Sequence, residues 1–378
     1  MKRFLSRVLP LLLSFGLIFN CTGCSTVLVL AGKARENSEA SSSVISESSA
    51  SSGVISTPVP TEDGDLRAFY TDVANAESVT VMVYMIGSDL ESEDGSATDD
   101  LLEMADAALS ENIHLVLQTG GTETWWNDVC TDDESERFVI ENGDMTLLQS
   151  LGSVNMTDAD TLSDFIRFSA ESYPADRYEL ILWDHGGGTM TGFGYDELYE
   201  DTSLTLSSLS TALYNGGVQF DFIGFDACLM ATAEVAYALD PYADYLIASE
   251  ESEPGEGWAY KNWLTMLAED PAVPTAELSK KLADDFLEAY IFADMPTLSV
   301  LDLRYVPELY AALESYWGSA YAALQSGSYG AFSQVRNNVR EFGDNEYDQV
   351  DLSDLATLTK QSLSLGTEAV SYTHLRAH

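Results

Sequence analysis

Two runs decide how this chain folds: Tyr178-Glu179-Leu180-Ile181-Leu182-Trp183-Asp184-His185-Gly186-Gly187-Gly188 and Phe220-Asp221-Phe222-Ile223-Gly224-Phe225-Asp226-Ala227-Cys228-Leu229-Met230. Each is a short, nearly unbroken apolar stretch, which is how a strand buried on both faces reads. Each ends in a polar turn, the first in His185 and three glycines, the second in Asp226-Ala227-Cys228. In open α/β sheets, ligands and chemistry gather at the carboxyl ends of parallel strands. A histidine leaving one strand and a cysteine leaving another therefore point to a thiol nucleophile with its base.

Outward from these runs, residues 79–87, 113–118, 245–249 and 297–303 also read as strands. Residues 138–140 and 145–148 flank an Asn142-Gly143 turn and read as a hairpin. Helical spacing covers 98–109, 158–172, 205–214, 275–290 and 306–324, and residues 229–239 are expected to continue from Cys228 as a helix. Strands alternating with helices, without a repeat period, predict an α/β sheet covered on both faces.

The ends differ from this middle. Lys2, Arg3 and Arg7 precede an apolar stretch over residues 9–19, too short to span a bilayer as a mature helix. Gly23-Cys24 follows and resembles a bacterial lipoprotein cleavage box, so residues 1–24 are expected to be a signal peptide with Cys24 the lipidated residue. Residues 25–65 are dominated by serine and read as a flexible tether that holds the folded unit, over 66–370, off a membrane surface. Residues 371–378 break the acidic character of the chain and look foreign to it, as though the natural C-terminal part were missing.

The formal charge of −45, from 17 basic and 62 acidic residues, argues against nucleic-acid binding through a basic footprint. It favours cationic partners, although a solvated acidic coat is the more common reason for such a charge. Four cysteines are too few for a disulfide scaffold. Removal of Cys21 with the signal and acylation of Cys24 leave Cys130 and Cys228 as thiols. Of the four histidines, His374 and His378 fall in the odd tail and His114 sits inside a strand. His185 and Cys228 are the one pair with both members at strand ends.

If Cys228 opens a helix, the positive end of the helix dipole helps hold its thiolate. The competing role is a cysteine packed as a small hydrophobe. His185-Gly186-Gly187-Gly188 also matches an esterase oxyanion loop, but no Gly-x-Ser-x-Gly elbow accompanies it. What survives is that glycines after His185 permit close approach and expose N–H donors.

Asp184-His185-Gly186, Asp226-Ala227-Cys228 and Pro254-Gly255-Glu256-Gly257-Trp258 together resemble the clostripain family of cysteine peptidases. Residues 79–90, a strand running into Gly87-Ser88-Asp89-Leu90-Glu91, resemble the opening of that domain, and the resemblance spans about residues 77–360. It implies a caspase-like, mostly parallel sheet with helices on both faces, a three-layer sandwich. It implies that Cys228 attacks the scissile carbonyl, that His185 passes a proton to the leaving amine, and that the amides of Gly186 and Cys228 hold the oxyanion. Members of the family cut after arginine or lysine, so Asp226 and Glu256 become the acidic residues of the specificity pocket. By itself Asp226 reads equally as a cap for the following helix. No cofactor is required, although several relatives respond to calcium. Asp196-Glu197 with Glu200-Asp201 could supply oxygen ligands, but solvated surface explains them as well.

The reading is thus a membrane-anchored, surface-exposed, monomeric endopeptidase acting on basic peptides. The alternative is a catalytically silent lipoprotein that binds such peptides or a protein partner in the same pocket. Relatives often mature by cutting themselves between the histidine and the cysteine. Here no lysine or arginine occurs between Arg177 and Lys261, although Arg67 near the tether is a possible trimming point. The purified active protein is therefore expected to run as one chain on a denaturing gel. Two chains split between residues 186 and 227 would contradict this.

Overall fold

Eight strands form one sheet: β1 (Val79–Ile86), β2 (Ile113–Gly120), β3 (Ser135–Glu141), β4 (Asp144–Gly152), β5 (Arg177–Trp183), β6 (Phe220–Asp226), β7 (Ala243–Ala248) and β8 (Ser299–Asp302). Their order is β4-β3-β2-β1-β5-β6-β7-β8, with β2, β1, β5, β6 and β7 mutually parallel, β3 antiparallel to both β2 and β4, and β8 antiparallel to β7. The computed structural model describes residues 66–199, 202–290, 296–343 and 349–363. The signal segment, Cys24, the tether and the tail lie outside the described residues.

The strands read as unbroken apolar runs because both faces are covered. All eight positions of β1 are buried. Successive side chains point to opposite faces, so Met82, Tyr84 and Ile86 join one core while Val81, Val83 and Met85 join the other. The first core is closed by α3 (Ala159–Ser172), α5 (Leu206–Gly216) and α6 (Ala233–Leu239). The second is closed by α2 (Ser96–Ala105), α7 (Tyr260–Glu269) and α8 (Thr275–Ala289). The result is the expected three-layer arrangement. The short helices α1 (Ser88–Ser92) and α4 (Gly188–Thr191) follow β1 and β5. After β8 come α9 (Val306–Gln325), α10 (Tyr329–Arg336), the two-residue strands β9 (Glu341–Phe342) and β10 (Gln349–Val350), and α11 (Leu352–Leu363).

The hairpin turn is as expected. Asn142 and Gly143 both adopt positive φ, 53° and 83°, which suits the twist of β3 and β4. The decisive feature lies in mid-sheet. From β1 the chain moves toward β2 through α2, whereas from β5 it moves the other way, to β6, through α5 on the opposite face. The carboxyl ends of β1 and β5 therefore flank a topological switch point, where open α/β sheets form a crevice.

At the opposite edge the chain is pinned. Arg67 donates to Asp240 at 3.2 Å, to Asp244 at 2.7 Å and to the Ala243 carbonyl at 2.7 Å, and its side chain is 10% exposed. Trimming at Arg67 would require all of these contacts to open. A second buried cation organises the start of β5. Arg177 is fully buried, donating to Asp221 at 2.9 Å and to the carbonyls of Val273 and Pro271. Arg177→Met would leave Asp221 buried without its cation, a loss of about 3–5 kcal/mol of stability by chemical denaturation. Adding Asp221→Asn should recover part of it.

Candidate active site

Trp183 of β5 pairs with Asp226 of β6, and the Asp184 N–H donates to the Asp226 carbonyl at 3.2 Å. His185 and Cys228 each stand two residues beyond that paired couple, so both leave the sheet at the same edge. The His185 side chain is 42% exposed and Cys228 is half-buried, so neither group is sealed inside. Gly186 makes the approach of the two strand ends possible. A Cβ there would collide with the Cys228 carbonyl oxygen. The Gly187 N–H is already spent on the Gly192 carbonyl at 2.9 Å.

Beyond Cys228 the chain departs from the expected helix. Leu229 adopts φ +65°, its N–H donates to the Glu251 carbonyl at 3.1 Å, and the Ala231 N–H donates to the Ser249 carbonyl at 2.8 Å. The helix α6 begins only at Ala233, capped by the Thr232 hydroxyl on the Val235 N–H. Bonds to the segment after β7, together with burial of Leu229 and Met230, override local helix propensity. Two expectations fall with the helix. Asp226 does not cap it, and its dipole, which fades within a turn, does not reach the thiol. Burial pushes the Cys228 thiol up, and the Glu253 N–H, donating to Sγ at 3.2 Å, opposes that by favouring the thiolate.

His185 meets a carboxylate that carries no signal of its own in the sequence. Its Nε2 lies 2.7 Å from Oδ1 of Asp89, in the short helix α1 that follows β1. The neighbouring Asp184 is buried and accepts the Tyr195 N–H, and burial pushes its carboxyl up to about 7.

Beside this edge lies a cavity of about 330 Å³ with Asp99, Asp100, Glu103 and Glu256 in its wall, together with Trp258 and Tyr290, and no lysine or arginine. Glu256 is part of that wall. Asp226 does not line the cavity. It is 4% exposed, and its Oδ2 accepts the Trp258 N–H at 2.9 Å and the Tyr260 O–H at 2.8 Å. Direct pairing with a ligand cation requires those donors to yield. Asp100 was missed in the sequence because it sits on α2, far along the chain. Its Oδ2 accepts the Trp183 indole N–H at 2.6 Å and, with the Asp226 carboxyl, crowds the space that a Cβ on Gly257 would need. Burial pushes Asp226 up to about 7 and Asp100 well above the usual carboxylate range.

The remaining candidates stay apart. His114 lies in β2 with its ring against Tyr173. Cys130 is buried, and burial pushes its thiol up to about 12. Of the calcium candidates, Asp196 accepts the N–H groups of Met156 and Leu198, and Glu197 accepts the Ser92 hydroxyl and the Glu123 N–H. Residues 200 and 201 lie outside the described residues. Among the described residues, no group of three or more His, Cys, Asp or Glu is arranged to hold a metal ion.

A mostly parallel sheet wrapped by helices, with a histidine and a cysteine leaving adjacent strands, defines the caspase-like class of α/β folds. Within that class the sequence profile of the clostripain family matches residues 83–373, and the chain belongs to this family. It is 29% identical over 217 residues to clostripain of Hathewaya histolytica, an alignment covering 49% of this chain and 41% of that protein. The chain thus spans less than half the length of that relative. Similar folds occur in a secreted C11 cysteine protease from Bacteroides thetaiotaomicron in complex with an irreversible peptide inhibitor (TM-score 0.59, 20% identity) and in an inactive zymogen C11 protease from Parabacteroides distasonis (TM-score 0.59, 23% identity). Each match covers 77% of this chain and 80% of the other.

The raised carboxyls have a consequence for stability. A carboxyl at about 7 in the folded protein keeps a proton that the unfolded chain releases near pH 4. Between those values the folded state binds more protons, so stability falls as pH rises through the window. Melting temperature should be higher at pH 5 than at pH 8. Asp226→Asn keeps an oxygen for Trp258 and Tyr260, so it should narrow that difference by stabilising the protein at pH 8. A wider gap in the variant would contradict the assignment.

Proposed function

We propose that the protein is an exported cysteine endopeptidase that cleaves after arginine or lysine, with Cys228 as nucleophile and His185 as its base. The observation that carries this is the departure of both groups from one sheet edge beside a cavity whose charged lining is wholly acidic. In this mechanism the Cys228 thiol proton passes to His185 as Sγ attacks the scissile carbonyl. The backbone N–H groups of Gly186 and Cys228 receive the developing oxyanion, and His185 then returns the proton to the leaving amine. The basic side chain enters the cavity toward Glu256, with Asp100 and Glu103 facing it and Asp226 adding negative charge from behind the wall. Arginine fits two carboxylates as a fork, whereas lysine offers a point charge.

Export rests on the signal-like residues 1–24, and attachment rests on lipidation at Cys24. One structural neighbour is described as secreted. Among the described residues no helix is long and apolar enough to cross a membrane. The mechanism calls on no cofactor, and calcium is kept as an additive to test.

The test is a panel of fluorogenic peptides with Arg, Lys, Asp or Leu before the scissile bond, assayed with and without calcium. Turnover should be confined to Arg and Lys, and Cys228→Ala should abolish it without shifting the melting temperature. Glu256→Gln should lower kcat/KM for the basic peptides about tenfold or more, the loss of one charge-assisted contact. Preference for Asp or Leu would refute the pocket. Retained binding of basic peptides with no turnover in the wild type would favour the silent binder.

A further inference from the structure

The strand-end turn after β1 is built to hold one side chain in place. The Gly87 N–H donates to the Gly120 carbonyl at 2.8 Å and the Ser88 N–H to the Gly121 carbonyl at 3.1 Å, so the end of β2 grips the turn. A Cβ on Gly87 would press on Thr122, and Ser88, wholly buried, adopts the left-handed φ of +49° that non-glycine residues rarely take. A buried residue in that conformation marks a turn whose path is imposed by its surroundings. The next side chain is Asp89, and its Oδ1 lies 2.7 Å from Nε2 of His185. The backbone that carries the imidazole is held as well, since the His185 carbonyl accepts the Gly194 N–H at 2.9 Å. Two strands that flank the switch point thus each deliver one half of a hydrogen-bonded pair.

We propose that Asp89 is the positioning residue of the active site, holding His185 in the tautomer that leaves Nδ1 free to take the Cys228 proton. This rests on His185 and Cys228 being the reacting pair. The carboxylate accepts Nε2–H, so the neutral ring carries its lone pair on Nδ1. When the Cys228 S–H bond breaks and Nδ1–H forms, a thiolate and an imidazolium result, and Asp89 faces the new positive charge. The same carboxylate prevents a ring flip that would present Nε2–H, a donor, to the sulfur. Asp89 touches neither substrate nor sulfur in this role and acts through His185.

The experiment compares Asp89→Asn, Asp89→Glu, His185→Ala and Cys228→Ala in the full chain, using the best basic peptide from the panel and iodoacetamide labelling of Cys228 followed by mass spectrometry. Where a triad aspartate that orients a catalytic histidine is buried, its loss costs about four orders of magnitude in kcat, and the half-exposure of both partners here lowers the expected loss to roughly ten- to a hundredfold. Asp89→Asn should lower kcat by that factor with KM held within about twofold, and should slow Cys228 labelling as His185→Ala does. Asp89→Glu, which restores a carboxylate, should recover most of both. Unchanged kcat in Asp89→Asn overturns the proposal, as does a raised KM at constant kcat, which would make Asp89 a substrate contact. Equal losses in the Asn and Glu variants also overturn it. Turnover surviving in His185→Ala or Cys228→Ala would instead refute the reacting pair itself.

Discussion

The parallel seating of β5 between β1 and β6 is the constraint on which the site depends. Register across β5 and β6 sets Trp183 against Asp226 and sends His185 and Cys228 out of the sheet side by side. Register across β5 and β1 sets Met85 against Trp183 and brings α1, with Asp89, within hydrogen-bond reach of the same imidazole. A sheet cannot slip by one residue without turning every buried side chain to the wrong face. The cores above and below β5, which take Leu180 and Leu182 on one side and Ile181 and Trp183 on the other, therefore hold these strand ends in register as they hold the fold.

The second organising feature is the treatment of negative charge. Most of the acidic residues of a chain at −45 can stay in water, yet Asp100, Asp184 and Asp226 are drawn inside near this edge. Their burial is tolerated because each accepts hydrogen bonds, from the Trp183 indole, the Tyr195 amide, and the Trp258 amide with the Tyr260 hydroxyl. Desolvation still pushes all three carboxyls upward. Such groups gain most from a cation that arrives without its water.

Much of this was readable in advance. The strands were legible because burial on both faces leaves unbroken apolar runs, and the hairpin because Asn142-Gly143 suits a tight turn. The pair His185 and Cys228 emerged because few other histidines and cysteines remained to compete. Three things were not legible. The segment after Cys228 looks helical in its apolar spacing, but its N–H groups find carbonyls at Ser249 and Glu251 instead. Asp226 looks like a pocket residue or a cap, and is instead enclosed by Trp258 and Tyr260. Asp100 and Asp89 carry no local signal beyond being acidic.

What the sequence alone determined is the set of buried runs, their punctuation, and hence an α/β sheet with reactive side chains at its carboxyl edge. These follow from short-range physics, in which apolar periodicity and turn-forming residues act within a few positions. The tertiary structure alone decided which edge residues meet, which carboxyls face the cavity, and what local environment the sulfur has. Those depend on strand order and on hydrogen bonds between residues far apart in the chain, and a competing long-range contact outweighs local propensity wherever it also buries apolar surface.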